Sequence, residues 1–213
     1  MSYEVRYSQV PGKARGSATM TYRLRLLDGL AAAISDKGYR ETTVADIVRH
    51  ARTSKRTFYD QFGTKEDGFL ELLRANNAAL VDGIQTAVDP EASWTDQIGQ
   101  AVGAYVDHIA SAPAITLSWI RELPALGSRA RPLQRAALRE LTDLLIELSG
   151  SVGFQRAGLP RLTEPMAIIL LGGLRELTAL IVEDGRDIHD IYGPAVAAST
   201  AIMTANSVEQ QPR

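Results

Sequence analysis

The chain has 213 residues, 45% of them apolar and 23% charged, with a formal net charge of −2 and no cysteine. That length admits a small head and a larger helical domain, and the missing thiols exclude disulfides, thiolate zinc sites and cysteine nucleophiles. The small net charge hides an asymmetry: residues 1–65 carry 12 Lys and Arg against 6 Asp and Glu, whereas residues 66–213 carry 11 against 19. A basic head attracts phosphates through counterion release, and an acidic remainder is repelled by them.

In chain order, residues 1–18 hold Pro11, Gly12 and Gly16 beside Arg6, Lys13 and Arg15, with no apolar period. This predicts a flexible basic arm, either a solvated tail or a phosphate or minor-groove contact. No apolar run resembling a secretion signal opens the chain, and a cytoplasmic protein is the expectation. A helix is predicted from Thr21, burying Leu24, Leu27, Leu30, Ala31 and Ile34 and stopped by Gly38. Arg23 and Arg25 near its start oppose the helix dipole, which points to phosphate contacts.

Residues 42–70 then read as two short helices joined by a tight turn and followed by a third. Val44, Ile47, Val48 and Ala51 form one apolar stripe, with Thr42 or Thr43 as N-cap. Ser54 caps the second helix, which places Phe58 and Phe62 on one face and projects Lys55, Arg56 and Tyr59 from the other. Such a helix suits a major groove.

These residues resemble the TetR family of transcriptional regulators. The resemblance rests on Gly38-Tyr39, Thr42-Thr43-Val44, Asp46-Ile47, Ala51, Ser54-Lys55, Thr57-Phe58-Tyr59, Phe62-Gly63, Lys65-Glu66 and Phe69-Leu70, in order and spacing, over the first third of the chain. It implies phosphate contacts from Thr43 and Lys65 at helix N-termini and from the Tyr59 hydroxyl. Lys55, Arg56 and Thr57 are the candidates for base edges, with Ser54 beside them in the DNA-binding set. Two residues depart from the family pattern. Arg52 stands in the turn Ala51-Arg52-Thr53, where the family usually has glycine followed by valine, so either the turn differs slightly or Arg52 is held there for a phosphate. Asp60 adds a negative charge beside the basic face.

Beyond residue 65 the apolar periods predict helices over 65–88, 94–111, 115–123, 133–148, 164–182 and 192–204, joined by loops at 124–132 and 149–163. An all-α protein of about nine helices is expected. The expected organisation is a basic arm at 1–18, a helix-turn-helix domain at 19–64, a ligand-binding and dimerisation domain at 65–206 and a tail at 207–213. The apolar run around 168–182 is interrupted by Arg175 and Glu176, which argues against a membrane span. The last two helices, one apolar on nearly every side and one rich in alanine, are either intrachain core or, as the resemblance implies, a homodimer's four-helix bundle.

The resemblance further implies a small-molecule effector bound in the second domain. Tyr105, His108, Trp119, Glu122, Arg175 and Glu176 are the candidate pocket residues, each with an alternative role as core aromatic, helix flank or ion pair. His50, His108 and His189 have no metal-ligand spacing, and no GxSxG, P-loop or GxGxxG occurs, so neither cofactor nor metal is expected and the chain reads as no enzyme. The expected function is a ligand-responsive repressor that binds a palindromic DNA operator as a dimer. A DNA-binding architectural protein without a ligand, and a helical enzyme, are the alternatives.

Overall fold

The computed structural model describes residues 14–209, with side chains described for 20–205. Among the described residues the chain is all-α. Its helices are α1 (Ala14–Glu41), α2 (Val44–His50), α3 (Lys55–Gln61), α4 (Lys65–Ala87), α5 (Trp94–Ser111), α6 (Pro113–Arg121), α7 (Arg131–Leu148), α8 (Val152–Arg156), α9 (Glu164–Glu183) and α10 (Tyr192–Glu209). Two 3-10 segments, Leu123–Arg129 and Ile188–Ile191, complete the elements. The one helix beyond the expected nine is α8, a single turn inside a glycine-rich stretch too short to show a period. Residues 1–13 of the expected arm and 210–213 of the expected tail lie outside the described residues. Residues 14–18 form the start of α1 instead, seven residues before Thr21.

The structure divides into two compact units. One comprises the described residues up to Asn76 together with Ala114–Ala130, and the other comprises Asn77–Pro113 and the residues from Arg131 onward. In the first, α1 buries Leu26, Leu27, Leu30, Ala31, Ala33 and Ile34, alongside Ile47 and Val48 of α2, Phe58 of α3 and Phe69, Leu72 and Leu73 of α4. Gly38 breaks α1 with φ 79°, a conformation that costs glycine little, so the last residues before Thr42 change direction as the sequence predicts. Two ion pairs tie the 114–130 segment into this unit: Arg40 Nε to Glu122 Oε2 at 2.7 Å, and Arg129 Nη2 to Asp67 Oδ1 at 2.6 Å.

In the second unit, Ser93 caps α5 by accepting from the Asp96 amide, and α5 turns Ile98, Val102, Val106 and Ile109 into a core shared with Phe154, Leu162, Ile181, Ile191 and Met203. Helix α9 is 20 residues long with a mean hydropathy of 1.7 in its most apolar window, enough by length and composition to cross a membrane. Arg175 and Glu176 lie within this helix, which matches the one expected over 164–182. It packs on α7 and α10, with 28% of that window buried.

Candidate nucleic-acid interface and apolar cavity

The head is built around a short turn between α2 and α3. Thr43 opens α2 with a reciprocal cap: its hydroxyl oxygen accepts from the Asp46 amide at 3.3 Å, and Asp46 Oδ2 accepts from the Thr43 amide at 3.0 Å. Lys37 Nζ also donates to Asp46 Oδ2, at 2.6 Å. These bonds, Lys37 first and Thr43 next, hold the Asp46 carboxyl well below the usual carboxylate range. Helix α2 then ends in a Schellman closure: the Thr53 amide donates to the Val48 carbonyl at 2.9 Å and the Arg52 amide to the Arg49 carbonyl at 3.2 Å. Arg52 is thereby forced to φ 50°, and it is the one described non-glycine residue at positive φ. A side chain there costs about 1–2 kcal/mol.

Two features of α1 accommodate that turn. Arg25 Nη2 donates to the Ala51 carbonyl at 2.6 Å and to the Arg52 carbonyl at 2.9 Å. Gly29 lets the helix backbones meet: a Cβ at this position would stand 2.6 Å from the Ile47 carbonyl oxygen and 2.9 Å from Ala51 Cβ. Arg23, for its part, ion-pairs with Glu71, donates to the Gln61 carbonyl at 2.8 Å and lies 4.5 Å over the Phe62 ring. Both arginines near the start of α1, expected to meet phosphates, have partners inside the head. Carbonyls at the ends of α2 and α3, left without a partner inside their own helices, and the Glu71 carboxylate accept from them.

Helix α3 starts at Ser54, whose hydroxyl accepts from the Thr57 amide at 3.1 Å and lies 2.9 Å from the Thr57 hydroxyl. Phe58 and Phe62 are buried with ring centroids 5.5 Å apart. On the other side Lys55, Arg56 and Tyr59 are exposed, as are Arg52 and Thr43. No described ion pair or hydrogen bond engages the Lys55 or Arg56 side chain, so their charges are available to an anion. Asp60 is also exposed, beside them. Lys65 lies apart from this set: its Nζ donates to the carbonyls of Thr42 at 2.8 Å and Tyr39 at 3.2 Å. Burial pushes the Tyr39 phenol far up.

In the second unit, a cavity of about 90 Å³ opens among α4, α5, α7, α9 and α10. Ile98, Val102, Leu145, Leu174 and Met203 stand for its character; its wall is almost wholly apolar. Of the six residues expected to form a pocket, Tyr105 alone lines it, and its phenol lies 2.8 Å from the Thr178 hydroxyl. His108 lies on a separate shallow groove with Gln100, Asp107 and Ser111, and burial pushes its imidazole pKa down. Trp119 and Glu122 belong to the first unit, Glu122 in the ion pair with Arg40. Arg175 and Glu176 are on the exposed side of α9. The sequence singled out polar residues, whereas the cavity is made by residues that look like ordinary core. Gly29 is not among the residues the sequence singles out, although a glycine inside a helical period is a visible signal, and the capping role of Asp46 is foreshadowed by the Thr43-x-x-Asp46 spacing.

Residues 26–72 match the family model described as bacterial regulatory proteins, tetR family. Over 111 residues the chain is 28% identical to an uncharacterized HTH-type transcriptional regulator, YezE, of Bacillus subtilis (strain 168), covering 50% of this chain and 57% of that protein. The match thus spans little more than half the relative's length. Among solved structures, a tetR-family transcriptional regulator from Streptomyces coelicolor superposes with a TM-score of 0.74 at 15% identity, covering 90% of this chain and 84% of that one. The regulator FadR from Bacillus subtilis, in complex with stearoyl-CoA, superposes with a TM-score of 0.66 at 17% identity, covering 88% and 99%. With its reciprocally capped α2, its tight turn and its cationic α3, the segment 26–72 forms a helix-turn-helix head that matches the model of bacterial tetR-family regulators, and the chain has the fold of the solved regulators it resembles.

Proposed function

We propose that this regulator is a homodimeric repressor that reads a palindromic operator and is released by an apolar effector. The observation that carries the reading is α3: Lys55, Arg56 and Tyr59 are exposed on a helix whose opposite face is locked by Phe58 and Phe62. Lys55 and Arg56 would donate to guanine O6 and N7, and Tyr59 to a phosphate. Thr43 and Ser54 would add phosphate contacts beside them, with Arg52 reaching from the turn. The Thr57 methyl would meet a thymine methyl while its hydroxyl stays with Ser54. A phosphate contact at Lys65 falls to its backbone amide, since its ammonium is engaged.

A dimer accounts for the exposed surface of α9 and α10. Ile168, Ile169 and Leu180 are 40%, 68% and 48% exposed on one side of α9, and a Cβ at Gly172 or Gly173 would meet no atom within 4 Å. Helix α10 exposes Ala197, Ala198 and Ala201. A face of this kind, made of apolar and small residues apart from Arg175 and Glu176, fits a second copy of the same helices.

The effector enters the second unit, in the cavity among α4, α5, α7, α9 and α10. The wall's Gln97 and Ser149 are bonded to the protein: Gln97 donates to the Pro90 and Ala92 carbonyls, and the Ser149 hydroxyl accepts from the Leu162 amide. Tyr105 is paired with Thr178. A ligand there meets hydrocarbon, in keeping with the acyl thioester held by the FadR of similar fold. The cavity is smaller than the roughly 150 Å³ that admits benzene. A longer chain must therefore push its walls apart, and that displacement would select a dimer shape with lower operator affinity. Selection from a random pool of duplex DNA tests the reading. Enrichment of a two-fold symmetric site, with half-sites about 34–36 Å or a multiple apart, is expected; no enriched sequence would contradict it.

A further inference from the structure

The turn that aims α3 is strained, and its brace lies on another helix. Arg52 occupies the left-handed position, and its own carbonyl and that of Ala51 both accept from Arg25 Nη2. The Arg25 side chain is itself located, with its guanidinium carbon 5.6 Å from the Tyr22 ring centroid. Gly29, one turn further along α1, brings the same helix against Ile47 and Ala51. The helix end, the turn and the cap of α3 thus hang on a contact with α1 that a glycine at position 52 would need less.

We propose that Arg25 is a positioning residue for DNA reading: by holding the Ala51 and Arg52 carbonyls it keeps the turn left-handed and sets the direction in which α3 presents Lys55 and Arg56. Its guanidinium acts on the protein backbone and not on a DNA phosphate. This rests on the assignment of α3 as the reading helix, so wild-type binding to a selected duplex is measured first.

The test compares Arg25→Met in two backgrounds, wild type and Arg52→Gly, by duplex binding and by thermal melting. Arg25→Met is expected to weaken binding by about tenfold in the wild-type background, the scale of losing one good base contact. In the Arg52→Gly background, where the turn is unstrained, the same change is expected to weaken binding only about two- to threefold, roughly a third to a half of the effect on a logarithmic scale. An equal loss in both backgrounds would show that Arg25 contacts the DNA itself and would overturn the proposal. So would a lowered melting temperature with unchanged affinity of the folded protein, which is a purely structural role. If wild type binds no duplex, the assignment of α3 fails, and with it the basis of the proposal.

Discussion

The Lys65 ammonium lies 4.3 Å over the Tyr39 ring while donating to the carbonyls of Tyr39 and Thr42. One cation from the start of α4 thereby holds the end of α1 and the approach to α2. Replacing it with methionine keeps the length of the side chain and removes the three interactions. Lys65→Met is expected to destabilise the protein by about 1–3 kcal/mol. A denaturant midpoint unchanged from wild type would show that the ammonium is not held there.

Gly29 is where α1 approaches the turn. Gly29→Ala inserts a methyl between backbones that cannot give way as a flexible side chain could. A cost of about 1–3 kcal/mol is expected even though alanine is the better helix former. Thermal melting checks the sign: stabilisation, which propensity alone predicts, would mean that the helices are not in contact here.

Asp46 gives the head an acid-sensitive cap. Its folded pKa is depressed by Lys37 and Thr43, so the stability it contributes is present above the unfolded value of about 4 and is lost as pH falls toward the lower folded value. Asp46→Asn should therefore melt below wild type at pH 7, with the gap narrowing below about pH 4. A gap that stays constant across that range would exclude the ionised cap.

The exposed side of α9 makes a separable prediction. Ile169 is 68% exposed, so Ile169→Lys should change the fold's own stability by no more than about 0.5 kcal/mol. It should nonetheless convert a sedimenting dimer to monomer. Wild-type protein that sediments as a monomer at micromolar concentration would contradict the proposed interface.

What could be read from the sequence follows the range of the interactions involved. Helices α2, α3 and α5 depend on caps and apolar periods within a dozen residues, and Thr43, Ser54 and the stripe of α5 state them openly. The left-handed turn was visible as an arginine in a glycine's place. Its brace was not, because Arg25 is 26 residues from Ala51 and its role exists only once α1 and α2 are packed. Lys65 was misleading for the same reason. The cavity was hidden in another way, since Leu145, Leu174 and Met203 have the pattern of core residues and only packing leaves space between them.

The central claim is that the exposed cations of α3 read DNA. It is tested most directly by measuring affinity for mixed duplex fragments against salt concentration, for wild type and for Lys55→Ala combined with Arg56→Ala. Wild-type affinity should fall steeply on a logarithmic plot, by a slope of roughly 0.9 per phosphate contact, and the double variant should remain folded while losing preference for the selected site. Salt-independent or absent binding, or a double variant that retains wild-type preference, would contradict the account.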